Sequence, residues 1–413
     1  MHLIRPFAGL RPATGRAAEV IAPPYDVLST DEARVRAAGK PWSFLHISKP
    51  EIDLPAGTNP YAPQVYAKAA DNLRLMLRDG VLARDPARCY YVYRLTMGGH
   101  TQTGLVAAAS VADYDSNRIR KHEFTQPDKE NDRVRQIDAL NAQTGPVLLA
   151  YPDAPEADYI LARCAAGAPA ADATADDGIR HTLWEVRDAG VQTRLTVAFD
   201  TMPALYIADG HHRSAAASRI AAARRSANPH HSGEENYNYF LTVIFPHRQL
   251  QILAYNRVVA DLNGMDAAAF LARLKENFSV EKSAAPVKPA NPAEFGVYLA
   301  GQWYRLALHR ELIPAGNPVA RLDVSLLSDR LLGPVLDITD LRGDKRIEYV
   351  GGMRGQTELE KRVNSGDMAA AFALYPTRME DLMSVAEAGA VMPTKSTWFE
   401  PKLADGLVSH VLD

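Results

Sequence analysis

The residues with the clearest chemical potential follow a short apolar run near the middle of the chain. Residues 204–208 read ALYIA, which is typical of a buried β-strand. Asp209 and Gly210 follow as a turn signal, and residues 211–225 then read HHRSAAASRIAAARR, a composition that favours a helix. The pattern predicts a strand, a tight turn and a helix, with polar residues at the turn.

This turn has the chemistry of an anion site. The free N–H groups and the positive end of the dipole at a helix N-terminus attract anions. Arg213 adds a forked cation that suits phosphate oxygens, and His211 and His212 add donors or acceptors. Asp209 could hold a metal ion or a substrate hydroxyl. In the alternative interpretation, Asp209 caps the helix and the histidines are surface residues, but charge this dense directly after a buried strand favours a site.

A second chemically dense stretch is IRKHEFT, residues 119–125. Glu123 could act as a general base if its carboxylate lies within reach of a hydroxyl. The stretch is not an HExxH zinc motif, because Gln126 stands where the second histidine would be needed. Taken alone, the stretch is better interpreted as a solvated, salt-bridged bend.

The third dense stretch is VMPTKSTWFEPK, residues 391–402. It is not a Walker A loop, because the preceding glycines are missing. An anion-binding segment and an ordered C-terminal tail explain it equally well. The side chains that could bind an anion are those of Lys395, Ser396, Thr397 and Lys402.

These stretches need a scaffold of helices and strands, and we expect an α+β fold (mixed α/β) with mixed sheets. A helix is predicted over 128–141, where Arg133 and Arg135 could line a phosphate pocket, although most such arginines face solvent. Residues 191–199 are ambiguous between helix and strand. The remaining main predictions are a helix over 61–80, a hairpin of 89–97 with 104–113, and strands over 147–151 and 239–245.

The length of 413 residues allows two or three domains. We expect an N-terminal α/β portion over 1–113, a catalytic core over 114–260, and a C-terminal α/β portion over 261–413. The last portion is predicted to fold back, so that residues 395–402 reach the site.

Composition limits the function classes. A hydrophobic content of 47% and a charged content of 23% fit a globular protein. The net charge of −3 gives no general attraction to nucleic acid or anionic membranes, so a phosphate site must be a local basic cluster. Two cysteines, Cys89 and Cys164, fit a reducing cytoplasm, where we expect the protein. The N-terminus lacks the apolar region of a signal peptide, and no apolar run suggests a membrane span.

Three motifs together resemble a bacterial family known as domain of unknown function 1015. They are PPYDV at 23–27, ADGHHR at 208–213, and MPTKSTWFEPK at 392–402, in which Thr394 stands where a second proline is expected. The resemblance covers almost the whole chain. The middle of that family is similar to the ParB/sulfiredoxin-like fold, in which free-serine kinases also have a His-Glu pair followed by Asp-Gly-His-His-Arg.

The resemblance implies a kinase that phosphorylates the hydroxyl of free L-serine to give O-phosphoserine. Glu123 matches the carboxylate that takes the hydroxyl proton, and Asp209 matches the acidic residue near the transferred phosphoryl group and its metal, Mg²⁺. The two residues are far apart in this chain, so the core must accommodate an insertion that includes 152–178. The other residues expected at the site are His211 as catalytic, His122 and Thr125 as substrate-binding, and Gly210, His212, Arg213, Lys395, Ser396, Thr397 and Lys402 as phosphate- or donor-binding.

Pyrophosphate is the expected phosphoryl donor, with ATP or ADP as the alternatives. Lys395, Ser396 and Lys402 would suit a donor with extra phosphate charge and no adenine, and no P-loop or GxGxxG signature is visible. Phosphoryl transfer needs positioned charges, a metal and a carboxylate at the nucleophile, which these stretches could supply.

Three other functions remain open at this point. A ParB-like, nucleotide-operated DNA-binding protein is disfavoured by the net charge and by the lack of a helix-turn-helix, so no nucleic-acid partner is expected. A metal-dependent phosphohydrolase could use His122, His211 and His212, but adjacent histidines do not easily converge on one ion. The third is a non-enzymatic serine or phosphoserine sensor. The oligomeric state cannot be read from the sequence.

Overall fold

The computed structural model describes residues 2–413, which form two compact units. Of the described residues, the first unit comprises 2–250 and Pro401–Asp413, and the second comprises Gln251–Glu400. Helices and mixed sheets occur together, so the predicted α+β class is confirmed. Within residues 2–413, no helix combines the length and the apolar character needed to cross a bilayer.

The helices and strands alternate irregularly along the chain. The helices are α1 (Ala17–Val20), α2 (Thr30–Ala37), α3 (Leu45–Ser48), α4 (Pro63–Arg78), α5 (Val111–Asp115), α6 (Pro127–Leu140), α7 (Pro155–Cys164), α8 (Ala189–Asp200), α9 (His211–Ala227), α10 (Ala267–Leu274), α11 (Asp323–Leu327), α12 (Gly355–Asn364) and α13 (Met379–Glu387). The strands are β1 (Ile4–Arg5), β2 (Gly9–Pro12), β3 (Leu82–Arg84), β4 (Tyr90–Met97), β5 (His100–Ser110), β6 (Ile119–Arg120), β7 (Ala142–Gln143), β8 (Val147–Tyr151), β9 (Ala171–Thr174), β10 (Arg180–Val186), β11 (Leu205–Asp209), β12 (Tyr239–Pro246), β13 (Gln251–Leu253), β14 (Tyr255–Val259), β15 (Phe278–Ser283), β16 (Glu294–Leu299), β17 (Gln302–Leu308), β18 (Ile347–Gly351), β19 (Ala370–Leu374), β20 (Trp398–Glu400) and β21 (Ser409–Val411).

A nine-stranded mixed sheet forms the centre of the first unit. Its order is β6-β11-β8-β12-β5-β4-β10-β9, and β1 pairs with β5. β8 runs antiparallel to β11 and parallel to β12, which accounts for the mixed character. The sheet continues across the boundary expected at residue 113, because β5 pairs with β12 along six residue pairs.

The C-terminal segment belongs to the first unit. β21 pairs with β2 through Gly9 and His410, and with β7 through His410 and Gln143. Together with β3 these strands form a four-stranded sheet. Lys402 precedes β21 and is therefore part of the same unit as β11.

The second unit contains a six-stranded sheet of order β15-β17-β16-β19-β14-β18 and the pair β13-β20. α12 packs on this sheet, and its Leu359 is buried with Val258 and Ala371. This unit begins at Gln251, whereas the boundary was expected at residue 260.

β11 is the strand that carries the site, and its side chains explain why it is buried. Leu205 and Ile207 are fully buried in the main core of the first unit, together with Leu149, Phe199 and Ile244. Burial of such side chains stabilises the fold by about 1.5–3 kcal/mol each. The end of β11 is thereby fixed in position.

The close contact of β5 with β12 generates a testable prediction. A Cβ atom added at Gly104 would lie 2.7 Å from the carbonyl oxygen of Ile244 and 2.7 Å from Phe245 Cδ1. We expect Gly104→Ala to lower the free energy of unfolding by about 1–3 kcal/mol, measured by urea denaturation followed by circular dichroism. The control is Gly99→Ala, because a Cβ at Gly99 meets no atom within 4 Å. Equal stability of the two variants would contradict the prediction.

Candidate active site

The turn between β11 and α9 can be made only by a residue without a side chain. Gly210 has φ 105°, in the left-handed region. A Cβ there would lie 3.3 Å from Arg213 Cζ and 3.3 Å from Val147 Cα. Gly210 is also the N-cap of α9, and no side chain caps this helix. Asp209 is therefore not the helix cap, which was the alternative interpretation of this motif.

Asp209 lies between two cations. Lys402 Nζ donates a hydrogen bond of 3.2 Å to its Oδ2 atom, and Arg213 Nη2 lies 3.8 Å from its Oδ1 atom. Burial raises the pKa of Asp209, but the positive charges of Lys402 and Arg213 outweigh burial and hold this pKa well below its ordinary value. Asp209 is thus a carboxylate at every physiological pH.

His211, the first residue of α9, faces the second dense stretch. Its Nε2 atom accepts a hydrogen bond of 3.4 Å from the backbone N–H of His122, and its Nδ1 atom lies 3.7 Å from Glu123 Oε2. Burial, followed by the neighbouring His122, lowers the pKa of His211 well below its ordinary value. Because the ring is neutral and Nε2 is an acceptor, its proton resides on Nδ1, the atom that lies 3.7 Å from Glu123.

His122 is the most buried member of this cluster, with 1% of its surface exposed. Its ring is edge-on to that of His211, with 4.4 Å between centroids. Burial lowers the pKa of His122 to about 4, although the charge of Asp209 acts in the opposite direction. Its Nδ1 atom has no hydrogen-bond partner among the described residues. By contrast, 52% of the Glu123 side chain is exposed, so solvent or a ligand can reach that carboxylate.

Two of the expected site residues are used to hold neighbouring chain segments. His212 Nε2 accepts a hydrogen bond of 3.0 Å from the backbone N–H of Gln126. Thr125 Oγ1 donates to Glu130 on α6. His212 therefore does not join His122 and His211, and the three-histidine zinc set is not formed.

Lys395, Ser396 and Thr397 belong to the second unit, whereas Asp209, His211 and Arg213 belong to the first. The Lys395 carbonyl accepts a 2.9 Å hydrogen bond from the buried Arg257. Ser396 Oγ donates to the Pro393 carbonyl at 2.6 Å, so this hydroxyl stabilises its own turn. Their expected role in donor binding stays a prediction.

Sequence reasoning missed two acidic residues beside Arg213. Arg213 Nη2 lies 4.0 Å from Asp26 Oδ2, and the charge of the buried Asp405 also acts on Arg213. Asp26 lies within the PPYDV motif, whose sequence indicates the family but no particular chemistry. Asp405 carries no sequence signal, because only the return of the C-terminal segment brings it here.

The residues present do not fit a resident magnesium ion at Asp209. Magnesium requires oxygen ligands at about 2.0–2.1 Å in octahedral geometry. Both oxygens of Asp209 face cations, and the neighbouring cluster supplies two imidazoles, which magnesium disfavours.

The sequence profile of a family described as "Protein of unknown function (DUF1015)" matches residues 4–325. This match covers more than half of the chain. The chain belongs to this family. The predicted family is therefore confirmed, and no curated protein sequence gave a significant match.

Several solved structures show a low similarity to this member of the family. A free serine kinase in complex with AMP is 14% identical, with a TM-score of 0.35 over 71% of this chain and 86% of the other. A conserved hypothetical protein from Pyrococcus furiosus is 15% identical, with a TM-score of 0.34 over 73% of this chain and 93% of the other. SbnI with a C-terminal truncation, from Staphylococcus aureus, is 11% identical, with a TM-score of 0.39 over 73% and 85%.

The burial of His122 predicts a loss of stability in acid. Its folded pKa of about 4 lies below the ordinary value of about 6.5, so the unfolded chain binds the proton more readily and stability falls as the pH falls through this range. Linkage gives a loss of about 2 kcal/mol from this one residue between pH 7 and pH 5. His122→Gln should remove that share of the pH dependence, measured by urea denaturation at each pH.

The exposed His230 provides the control, because His230→Gln should leave the pH dependence as in the unmodified protein. An unchanged pH dependence in His122→Gln would show that His122 is not buried as a neutral ring.

Proposed function

We propose that this protein is a phosphotransferase that phosphorylates the hydroxyl of free L-serine and releases O-phosphoserine. The observation that carries the proposal is the placement of an accessible carboxylate, Glu123, beside the neutral His211, which itself starts the helix that follows Asp209. The motifs that resemble free-serine kinases suggest serine as the acceptor. The more general activity, phosphoryl transfer, is proposed from the chemistry of the site alone.

Glu123 is proposed as the base. As the serine oxygen forms its bond to phosphorus, the hydroxyl proton passes to Glu123, and the bond between phosphorus and the leaving phosphate oxygen breaks. With pyrophosphate, the products are O-phosphoserine and inorganic phosphate. His211 Nδ1 lies 3.7 Å from this carboxylate, and we propose that its N–H orients Glu123 without supplying a full positive charge, because the ring is neutral.

Lys402 and Arg213 are proposed to balance the charge on the transferred phosphoryl group. Both contact or approach Asp209, so they are held near one another without a ligand. Preorganised cations of this kind stabilise a phosphoryl transition state more than mobile ones, because they need no reorganisation during the reaction. Gly210 allows this approach, since a side chain there would displace Arg213.

Pyrophosphate is the proposed donor, with ATP and ADP as alternatives. Magnesium is proposed only as an ion that enters with the phosphates of the donor, because Asp209 does not form a resident site for it. In such a complex the ion would carry part of the phosphate charge, and the chain would contribute Lys402 and Arg213.

A direct assay tests the proposal. The full chain is incubated with magnesium, L-serine and, separately, pyrophosphate, ATP or ADP, and O-phosphoserine is quantified by mass spectrometry. We expect product with one donor and a fall in kcat of at least about 100-fold in Glu123→Gln, because general base catalysis contributes 10²–10⁴-fold.

The matched control is Glu281→Gln, the same chemical change on the exposed face of strand β15 in the second unit, and it should retain full activity. The proposal fails if no donor yields O-phosphoserine, or if Glu123→Gln is as active as the control.

A metal-dependent phosphohydrolase is the second candidate, and one observation favours it. Ligand atoms of His122, Glu123 and His211 lie within 4.8 Å of one another, and two imidazoles with a carboxylate are a set that zinc accepts. Metal analysis of protein purified without added zinc distinguishes the candidates. About one zinc per chain, together with phosphate release in the absence of serine, would favour the hydrolase.

A further inference from the structure

A pocket in the first unit is lined by Arg213, the residue whose guanidinium also approaches Asp209, while Asp209 itself is not part of the lining. Helices α6 and α9 contribute Arg133 and Arg213 to its lining, and the N- and C-terminal segments contribute Tyr25 and Asp405. Arg135, the other arginine of α6 considered for a phosphate pocket, is exposed and does not line it.

Asp405 is a buried carboxylate whose hydrogen-bonding capacity is only partly used: the backbone of Tyr25 acts on it, and one of its oxygens is left over. It is 2% exposed, and its Oδ1 atom has no hydrogen-bond partner among the described residues. Its backbone is fixed, because its N–H donates to the Ala22 carbonyl at 2.9 Å and its carbonyl accepts from the Ala22 N–H at 3.1 Å. Burial raises the pKa of Asp405 to about 7, although Arg213 acts in the opposite direction. A buried carboxylate oxygen left without a hydrogen bond is costly unless a ligand supplies one.

The two arginines have guanidinium groups with remaining donors. Arg213 Nη1 donates to the Pro146 carbonyl, but Nη2 is 3.8 Å from Asp209 and 4.0 Å from Asp26, outside hydrogen-bond distance of both. Arg133 donates to the adjacent Asp132 through Nε and Nη2, and its Nη1 atom makes no such hydrogen bond within residues 2–413.

Tyr25 and Gly145 shape the pocket around these charges. The guanidinium of Arg133 stacks on the Tyr25 ring, 3.7 Å from its centroid. A Cβ at Gly145 would lie 3.3 Å from Arg213 Cδ and 3.6 Å from Asp405 Oδ1, so a side chain would fill the space between them.

We propose that this pocket binds the α-ammonium and α-carboxylate groups of an amino-acid acceptor, with Asp405 pairing with the ammonium and Arg133 and Arg213 with the carboxylate. A zwitterion matches both signs of charge in the lining. An inorganic phosphate would place its charge against Asp26 and Asp405, and an amine alone would leave the arginines without a partner. Arg213 approaches Asp209 as well, so the bound amino acid would lie next to the proposed phosphotransfer site.

This inference rests on the proposed function for its choice of acceptor, but it can be tested separately. Binding of four ligands to the full chain is measured by isothermal titration calorimetry. L-Serine and L-alanine carry the complete head group, ethanolamine lacks the carboxylate, and 3-hydroxypropionate lacks the ammonium. We expect L-serine and L-alanine to bind within about 10-fold of each other, and the two truncated ligands to bind at least about 10-fold more weakly, because each loses a charge-assisted hydrogen bond.

Two substitutions locate the binding in the pocket. Asp405→Asn should weaken L-serine binding at least about 10-fold, and Arg133→Gln should do the same, since each removes one charged partner. The control is Asp329→Asn, a substitution of an exposed aspartate in the second unit, which should bind as the unmodified chain does. Thermal melts identify any variant that is not folded, and the ligand series with the unmodified chain does not depend on them.

The outcomes separate the two proposals. If L-serine is phosphorylated and Asp405→Asn and Arg133→Gln leave its KM unchanged, the pocket proposal is overturned and the proposed function stands. If no donor supports phosphorylation but serine and alanine bind in an Asp405-dependent way, the pocket proposal stands and the function does not. Failure of the unmodified chain to bind either amino acid, or equal binding of ethanolamine, would also overturn the pocket proposal.

Discussion

The carboxylate of Asp209 lies 3.2 Å from the ammonium group of Lys402, and the rest of the site is arranged around this contact. The two residues are 193 positions apart in the sequence. The contact joins the end of strand β11 to the returning C-terminal segment. It also helps to keep Asp209 negatively charged, and Arg213 approaches this carboxylate from another direction. A partly buried carboxylate depends on such partners, so removing Lys402 would leave Asp209 with Arg213 alone, at 3.8 Å, and without its hydrogen-bonded cation.

Local patterns in the sequence were sufficient for the elements that carry the site. The apolar run before Asp209, the glycine after it and the alanine-rich segment that follows correctly predicted a strand, a turn and helix α9. Residues 191–199 were ambiguous because their composition suits both structures. The Asp188 side chain accepts a hydrogen bond from Val191 N–H, and this N-cap contact stabilises the helix, α8, that the structure contains there.

Tertiary arrangement explains what the sequence could not predict. The motif at 392–402 reads as one segment, yet Lys395 belongs to the second unit and Lys402 to the first, because the chain crosses between them after Glu400. The neutrality of His122 and His211 arises from burial, which depends on contacts with distant strands. Asp405 is brought to Arg213 by the pairing of β21 with β2 and β7, which no local pattern in the sequence predicts.

If one site accepts both the hydroxyl and the phosphoryl group, a crystal structure with O-phosphoserine bound will show both contacts. We expect the phosphoryl group to contact Lys402 or Arg213 and the serine oxygen to lie within hydrogen-bond distance of Glu123. A phosphoryl group bound away from both cations, with Glu123 remote from the serine oxygen, would show that this is not the site of phosphoryl transfer.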